Sequence, residues 1–367
     1  MDIPWKNVKT IVILNLIANT VGDSLMMSPL IQILKHNSPQ AKIICTASPS
    51  NAPLLAGLPD SLVPLPELAD IGKKNGKLRK AIRYANLMRR CVRLLREVKA
   101  DVCIVVQPNF APSQLIPWLA GVPYRIGYTY QGGIFSWTLT HKIAWTDAYA
   151  TGDYKRHFIE TVFDLVRCAN VPIRNEDTVV RKIVTPEARA WAQSYLKKAG
   201  IKKTDLLIAF QAGAKWINKQ WPAERYAEIA AWLVKDYNAK ILLFGTQDEK
   251  PINDIVAAAA KGCAIRVLGE HIENVSALLQ RCELALGNSS GIMHLASAVG
   301  TPAAMIHGIG FASNSEPRGP GGSIVIEGPH YKENPALSGD DVEEGIRRMR
   351  KITVEQVRKA LTKVLGK

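Results

Sequence analysis

Thr10-Ile11-Val12-Ile13-Leu14-Asn15-Leu16, followed by Ala18-Asn19-Thr20-Val21-Gly22-Asp23-Ser24-Leu25, decides how the chain is read. A strand-length run rich in β-branched residues passes through a short polar loop into the helix-like spacing of residues 24–36. Apolar runs of this kind belong to parallel strands covered on both faces. The apolar stretch 11–18 is too short to span a membrane and has no small-residue cleavage site, so it reads as a buried first strand and not as a signal peptide. Working outward, 42–46 is a second strand, a basic helix covers much of 73–99, and 101–107 is a further strand. Strand-helix alternation predicts a mostly parallel sheet with right-handed crossovers, a Rossmann-like topology.

The pattern starts again in the second half. Strands are predicted at 206–210, 240–244, 265–268 and 284–286, and helices at 223–236, 275–281, 291–299 and 353–365. Between the halves, 171–185 has turn formers and little periodicity, which puts a domain boundary near residue 175. The Gly-, Pro-, Ser- and Asn-rich segment 312–341 is expected to be irregular. A chain of 367 residues suits two cores of this size, and 47% apolar with 22% charged residues is a globular composition.

The six cysteines are scattered and form no C-x-x-C pair, so neither a disulfide framework nor a zinc site is indicated, and a reducing cytoplasm is the expected compartment. A net charge of +15 favours an anionic partner. Much of the excess lies in 73–99, where Arg79, Lys80 and Arg83 stand among many cations and Glu97 alone opposes them. That stretch reads either as a solvated helix face or as a patch for an anionic acceptor or a membrane surface. No nucleic-acid motif accompanies it, and nucleic acid is not an expected partner.

Open parallel sheets bind ligands at the carboxyl ends of their strands, so chemistry is sought in the loops there. In the first loop, Gly22 would permit an unusual backbone angle or close approach. Asp23 is either a helix cap or a general base. The loop has neither a dinucleotide fingerprint nor a P-loop pattern. In the second loop, Gly213 with Lys215 and Lys219 before Trp221-Pro222 suits a diphosphate, through close backbone approach and ammonium charge. In the third, Asn288-Ser289-Ser290 leads through Gly291 into a helix whose amino end favours an anion. His294 on that helix reads as a packing residue or a site residue.

Together the three loops resemble glycosyltransferase family 9, which includes the lipopolysaccharide heptosyltransferases. The resemblance rests on Val21-Gly22-Asp23-Ser24-Leu25 with Ser28-Pro29-Leu30, on Gly213 and Lys219-Gln220-Trp221-Pro222-Ala223-Glu224-Arg225-Tyr226, and on Asn288-Ser289-Ser290-Gly291-Ile292-Met293-His294-Leu295-Ala296 with Gly300-Thr301-Pro302. Such a resemblance implies a GT-B fold: an N-terminal Rossmann-like acceptor-binding domain at 1–174, a C-terminal Rossmann-like nucleotide-sugar domain at 175–345, a ligand cleft between them, and a C-terminal helix at 346–367 packing back toward the N-terminal domain. It implies inverting transfer, without metal or other cofactor, of a heptose or related sugar from a nucleoside-diphosphate donor, typically ADP-linked, to a lipopolysaccharide core or other anionic glycan or glycolipid. The setting would be the cytoplasm, with peripheral contact at the inner membrane.

By the same resemblance Asp23 matches the catalytic base and Lys219 the donor-phosphate lysine. Gly213, Lys215, Asn288, Ser289, Ser290, Gly291 and His294 complete the expected donor site. Asn19, Gly22, Arg79, Lys80 and Arg83 are the expected acceptor contacts. Where the family usually carries an Asp that contacts the donor sugar, this chain has Ser289, a change of charge and reach at a position that bears on donor discrimination. A non-catalytic module that binds a sugar nucleotide or glycan is the alternative from another functional class.

Overall fold

β1 (Thr10–Leu14) is the buried strand its composition predicts, with Ile11, Val12, Ile13 and Leu14 fully covered. The computed structural model describes residues 2–16, 20–66, 76–106, 111–129, 133–145, 156–328 and 342–366. It divides into two units, Met1–Val179 and Val180–Lys367.

In the first unit β1 is joined by β2 (Lys42–Ala47), β3 (Ser61–Pro64), β4 (Val102–Val105), β5 (Tyr124–Thr129) and β6 (His141–Ala144). They pair in the order β3-β2-β1-β4-β5-β6, every pairing parallel. Ile11 faces Ile43 on one side and Val102 on the other. The winding reverses between β1 and β4, so the crevice that such sheets use for ligands opens at the carboxyl ends of these two strands.

The loop after β1 enters α1 (Val21–Leu25) and α2 (Met27–Asn37). The single helix expected over 24–36 is thus two helices meeting at Met26. Pro29, near the start of α2, has no amide to bond back toward Leu25, and this interrupts the ladder. α3 (Ala52–Leu55), α4 (Lys77–Glu97), α5 (Leu115–Ala120) and α6 (Ile159–Arg167) complete the described helices of this unit. The stripe Leu87, Cys91 and Leu95 buries α4 against Val12, Leu14, Cys103 and Val105. Its basic residues from Arg79 to Arg96 are left on the exposed face.

The second unit repeats the plan. β7 (Leu207–Gln211), β8 (Lys240–Gly245), β9 (Ala264–Leu268), β10 (Leu284–Asn288), β11 (Ala303–His307) and β12 (Ser323–Glu327) pair in parallel as β12-β11-β10-β7-β8-β9. Counted from its first strand this is the order of the first sheet, with the reversal between β7 and β10. Around the sheet lie α7 (Pro186–Lys198), α8 (Ala223–Tyr237), α9 (Lys250–Ala259), α10 (Ile272–Arg281), α11 (Gly291–Ala298), α12 (Ala312–Ser315), α13 (Val342–Lys351) and α14 (Val354–Leu365).

Three expectations change. The boundary falls at Val179–Val180 rather than near 175. Asp177 Oδ1 lies 2.5 Å from His36 Nδ1 and Gln32 Nε2 donates to the Val179 carbonyl, which ties 175–179 to the first unit. The Val180 and Lys182 amides bond to Arg318 and Ala298 in the second. The segment 312–341, expected to be irregular, contains α12 and the edge strand β12, because Ile324, Val325 and Ile326 pair with β11. Finally, the single C-terminal helix expected at 346–367 is the end of α13 followed by α14, and the apolar stripe of α14 is used in the second unit's own core: Val357 and Leu361 are fully buried there with Trp221, Tyr226 and Ile352.

Candidate active site

Asp23 occupies the first turn of α1, at the carboxyl edge of β1. Its carboxylate is half-buried and accepts a hydrogen bond from Thr20 Oγ1 at 2.7 Å, the one it makes among the described residues. Burial pushes its pKa above the ordinary 3.8, and the Thr20 hydroxyl offsets part of that rise. Asp23 is therefore not spent on capping backbone amides. Neighbouring Ser24 Oγ is buried with no hydrogen-bond partner among the described residues. Gly22 is an ordinary helical residue of α1, outside the left-handed region, so of the two readings, unusual angle or close approach, the first does not hold. Asn19 lies outside the described residues. Arg79, Lys80 and Arg83 are exposed on the first turns of α4, where Lys80 Nζ lies 5.8 Å from the Tyr84 ring centre. A crossover helix returns the chain to the amino edge of the next parallel strand, so the start of α4 is on the carboxyl edge of the sheet, as Asp23 is.

In the second unit the loops after β7, β10 and β11 meet. Asn288, the last residue of β10, is fully buried: its Oδ1 accepts from the Trp221 amide (2.9 Å) and the Tyr226 hydroxyl (3.0 Å), and its Nδ2 donates to the Ala212 and Gly213 carbonyls (2.8 and 3.1 Å). This corrects its assignment as a donor contact. Its polar groups are consumed in fixing the 212–221 loop, so it is a positioning residue. Replacing it (Asn288→Ala) leaves these groups buried without partners and should lower unfolding stability by about 3 kcal/mol. Denaturant unfolding with an unchanged midpoint would contradict this.

The loop so held carries Lys219 at the end of a 3₁₀ turn, Ile217–Lys219. Gln220 Nε2 closes the loop on the Ala214 carbonyl at 2.8 Å. The turn rests on α13, where a Cβ on Gly345 would come within 2.9 Å of the Asn218 carbonyl oxygen and 2.2 Å of Ile309 Cδ1, so only glycine allows this approach. Trp221 Nε1 donates to the Ile352 carbonyl at 2.9 Å, which pins the far side.

Lys219 is half-buried and joins no ion pair among the described residues, and desolvation lowers its pKa below the ordinary 10.5. It lies near enough to His307, at the end of β11, to help hold that ring neutral. The His307 pKa is pushed down to about 4 by burial first and by the Lys219 charge second. His294 on α11 is likewise pushed down to about 4 by burial and is neutral at neutral pH.

The Ser289 amide donates to the Ile306 carbonyl, which sets the start of α11 against the end of β11. Ser290, the residue before α11, keeps its hydroxyl buried with no hydrogen-bond partner among the described residues. A half-buried cation with no ion pair among the described residues, a neutral imidazole, an unused hydroxyl and a helix amino end form a corner suited to an anion. Lys215 is in different surroundings: exposed, with Nζ 5.7 Å from the centre of the exposed Trp216 ring. At Gly213 a Cβ would fall 2.1 Å from Glu249 Oε1. Glu249 itself is held by the Thr246 amide at 2.8 Å and by Gln211 Nε2 at 3.3 Å.

His307 and Glu249 are additions to the sequence reading. His307 ends a strand that was not predicted, while Thr246-x-x-Glu249 is a capping box that could have drawn attention to the loop after β8.

The sequence profile described as glycosyltransferase family 9 (heptosyltransferase) matches residues 88–335. Lipopolysaccharide heptosyltransferase 2 of Escherichia coli strain K12 is 26% identical over 302 residues, covering 78% of this chain and 80% of the relative. Lipooligosaccharide heptosyltransferase 2 of Haemophilus influenzae is 27% identical over 300 residues, again covering 78% and 80%. Among solved structures, a family 9 glycosyltransferase from Veillonella parvula superposes with a TM-score of 0.77 at 21% identity, covering 98% of this chain and 97% of that one. The E. coli ADP-heptose lipopolysaccharide heptosyltransferase II superposes with a TM-score of 0.70 at 23% identity, covering 98% of each. These structural likenesses identify the fold as GT-B. With two thirds of its length matched by the family profile, the chain belongs to glycosyltransferase family 9, the heptosyltransferase family.

Proposed function

We propose that this heptosyltransferase-family chain transfers a sugar with inversion and without a metal, from an ADP-linked heptose or a close relative of it to the anionic core of a lipopolysaccharide. The observation that carries the reading is the half-buried Lys219, which joins no ion pair among the described residues and stands beside neutral His307. A desolvated ammonium is costly unless an anion joins it, and a nucleoside diphosphate is the anion such a corner fits. The similar E. coli structure is that of an ADP-heptose enzyme, which favours adenine as the base.

In the proposed reaction Asp23 takes the proton of the acceptor hydroxyl as its oxygen attacks the anomeric carbon. The bond to the diphosphate breaks in line. Lys219 and the amino end of α11, with the Ser290 hydroxyl, stabilise the departing charge. Positive charge near the leaving group is thus supplied by protein groups. Ser289 offers the donor sugar a hydroxyl in place of the family's carboxylate. Arg79, Lys80 and Arg83 attract the anionic acceptor.

A thermal-shift panel of ADP-, UDP-, GDP- and CDP-sugars tests the donor. ADP-heptose should raise the melting temperature most, since a ligand that binds only the native state stabilises it in proportion to its occupancy. A greater shift with another nucleotide sugar would overturn the adenine assignment. Donor binding without sugar transfer to any lipopolysaccharide core would favour the non-catalytic module.

A further inference from the structure

α7 and α10 pack against each other in the second unit and enclose a hollow of about 420 Å³. Ala192, Leu196, Ile201 and Ala277 supply its aliphatic lining. Around it stand five cations, Arg189, Lys197, Lys202, Lys203 and Arg281, and no carboxylate lines it. Among the described residues none of the five joins an ion pair.

Two of them are nevertheless fixed in place. The Arg281 guanidinium donates through Nη2 to the carbonyl oxygens of Lys202, Lys203 and Asp205. Arg189 Nε donates to Gln280 Oε1 at 2.9 Å. All these partners are neutral, so the side chains are oriented while their charge is left uncancelled. Clustered like charges repel one another, and an anion settling among them would relieve that repulsion.

The hollow is also remote from the anion corner within its own unit. The end of α7 and residues 201–203 precede β7, and Arg281 precedes β10, so the cations gather at the amino edge of the sheet. Lys219 and the start of α11 follow those same strands at the carboxyl edge.

We infer that this hollow is a docking site for an anionic membrane lipid, with the first acyl carbons against the aliphatic lining and the headgroup phosphate on the cationic rim. The lining decides between anions. Inorganic phosphate would leave the apolar surface unused. A nucleobase would find no aromatic ring to stack on, since none lines the hollow. A peptide segment would bring a run of backbone groups for which the lining supplies, beside its cations, only the Gln193 and Gln280 amides. A chain of methylene groups ending in a phosphate fits both parts. The site rests on none of the donor chemistry proposed above and would draw the second unit to an anionic bilayer.

Flotation of the full chain with vesicles tests this. Binding is expected to vesicles of phosphatidylcholine with phosphatidylglycerol, not to phosphatidylcholine alone, and should weaken as salt is added. The double substitution Arg189→Glu with Lys197→Glu, at two exposed positions, should reduce binding by at least about tenfold. Arg89→Glu with Arg93→Glu on α4 should leave most of it. In solution, monodecyl phosphate should bind the wild type and not the α7 variant, while inorganic phosphate and decyl maltoside bind neither.

Retention of vesicle binding by the α7 variant, or its loss in the α4 variant alone, would overturn the inference. So would inorganic phosphate binding as well as monodecyl phosphate does, or wild type that floats with neither vesicle. Circular dichroism and unchanged transfer to a soluble acceptor would show that the variants are folded, and both readouts are independent of the lipid result.

Discussion

Lys219→Ala should weaken binding of the free nucleoside diphosphate by on the order of 10- to 100-fold, the loss expected when a charge-assisted contact to phosphate is removed. Isothermal titration measures it directly. The unliganded variant should be at least as stable as the wild type. The folded-state pKa of Lys219 is lowered by burial, so the native chain holds that proton less tightly than the unfolded chain does. Stability attached to this group therefore increases as pH rises through the window between the lowered value and the ordinary 10.5, and at neutral pH the ammonium is a burden that alanine removes. A variant that is both stable and fully competent for diphosphate would show that the anion sits elsewhere. Lys219→Arg keeps the charge but not the shape, and should recover part of the affinity.

Asp23→Asn should reduce turnover by on the order of 10²- to 10⁴-fold while donor affinity stays the same, because only proton removal is lost. Single-turnover kinetics beside donor titration separate the two quantities. The wild-type rate should rise with pH along an acid limb displaced above the ordinary aspartate value of 3.8, since burial raises the pKa of the group that must be ionised. That limb should vanish in the variant. The stability effect has a definite sign as well. Because the folded pKa lies above the unfolded one, stability contributed by the protonated carboxyl is present below 3.8 and is lost as pH rises through the raised folded value. Asparagine avoids the loss, so the variant should melt higher at neutral pH. An acid limb that survives the substitution would assign it to another group.

What could be read from the chain follows from how each feature is encoded. Central strands β1, β7 and β10 announce themselves because both faces are covered and the residues between their ends are apolar. The interior strands β5 and β11 were missed as well as the edge strands β3, β6 and β12; of these, Ser61–Pro64, His141–Ala144 and Ser323–Glu327 are short and mixed, and they are strands by virtue of a neighbour's free edge. That the loops carrying Asp23 and Lys219 follow buried strands was legible in the same way as the central strands themselves. Asn288 was misread for a reason local sequence does not show: its four bonds close on residues 62 to 76 positions away. The role of Gly345 under the Lys219 turn was hidden in the same way, in a contact between segments far apart in the chain.

The burial of Val357 and Leu361 beside Trp221 and Tyr226 constrains how the chain can mature on the ribosome. The first sheet is complete within residues 1–179, whereas the second unit must wait for α14 before its interior is sealed. Until then Trp221 and the Ile352 carbonyl it bonds remain apart, so anion-binding competence should be among the last properties that a nascent molecule acquires.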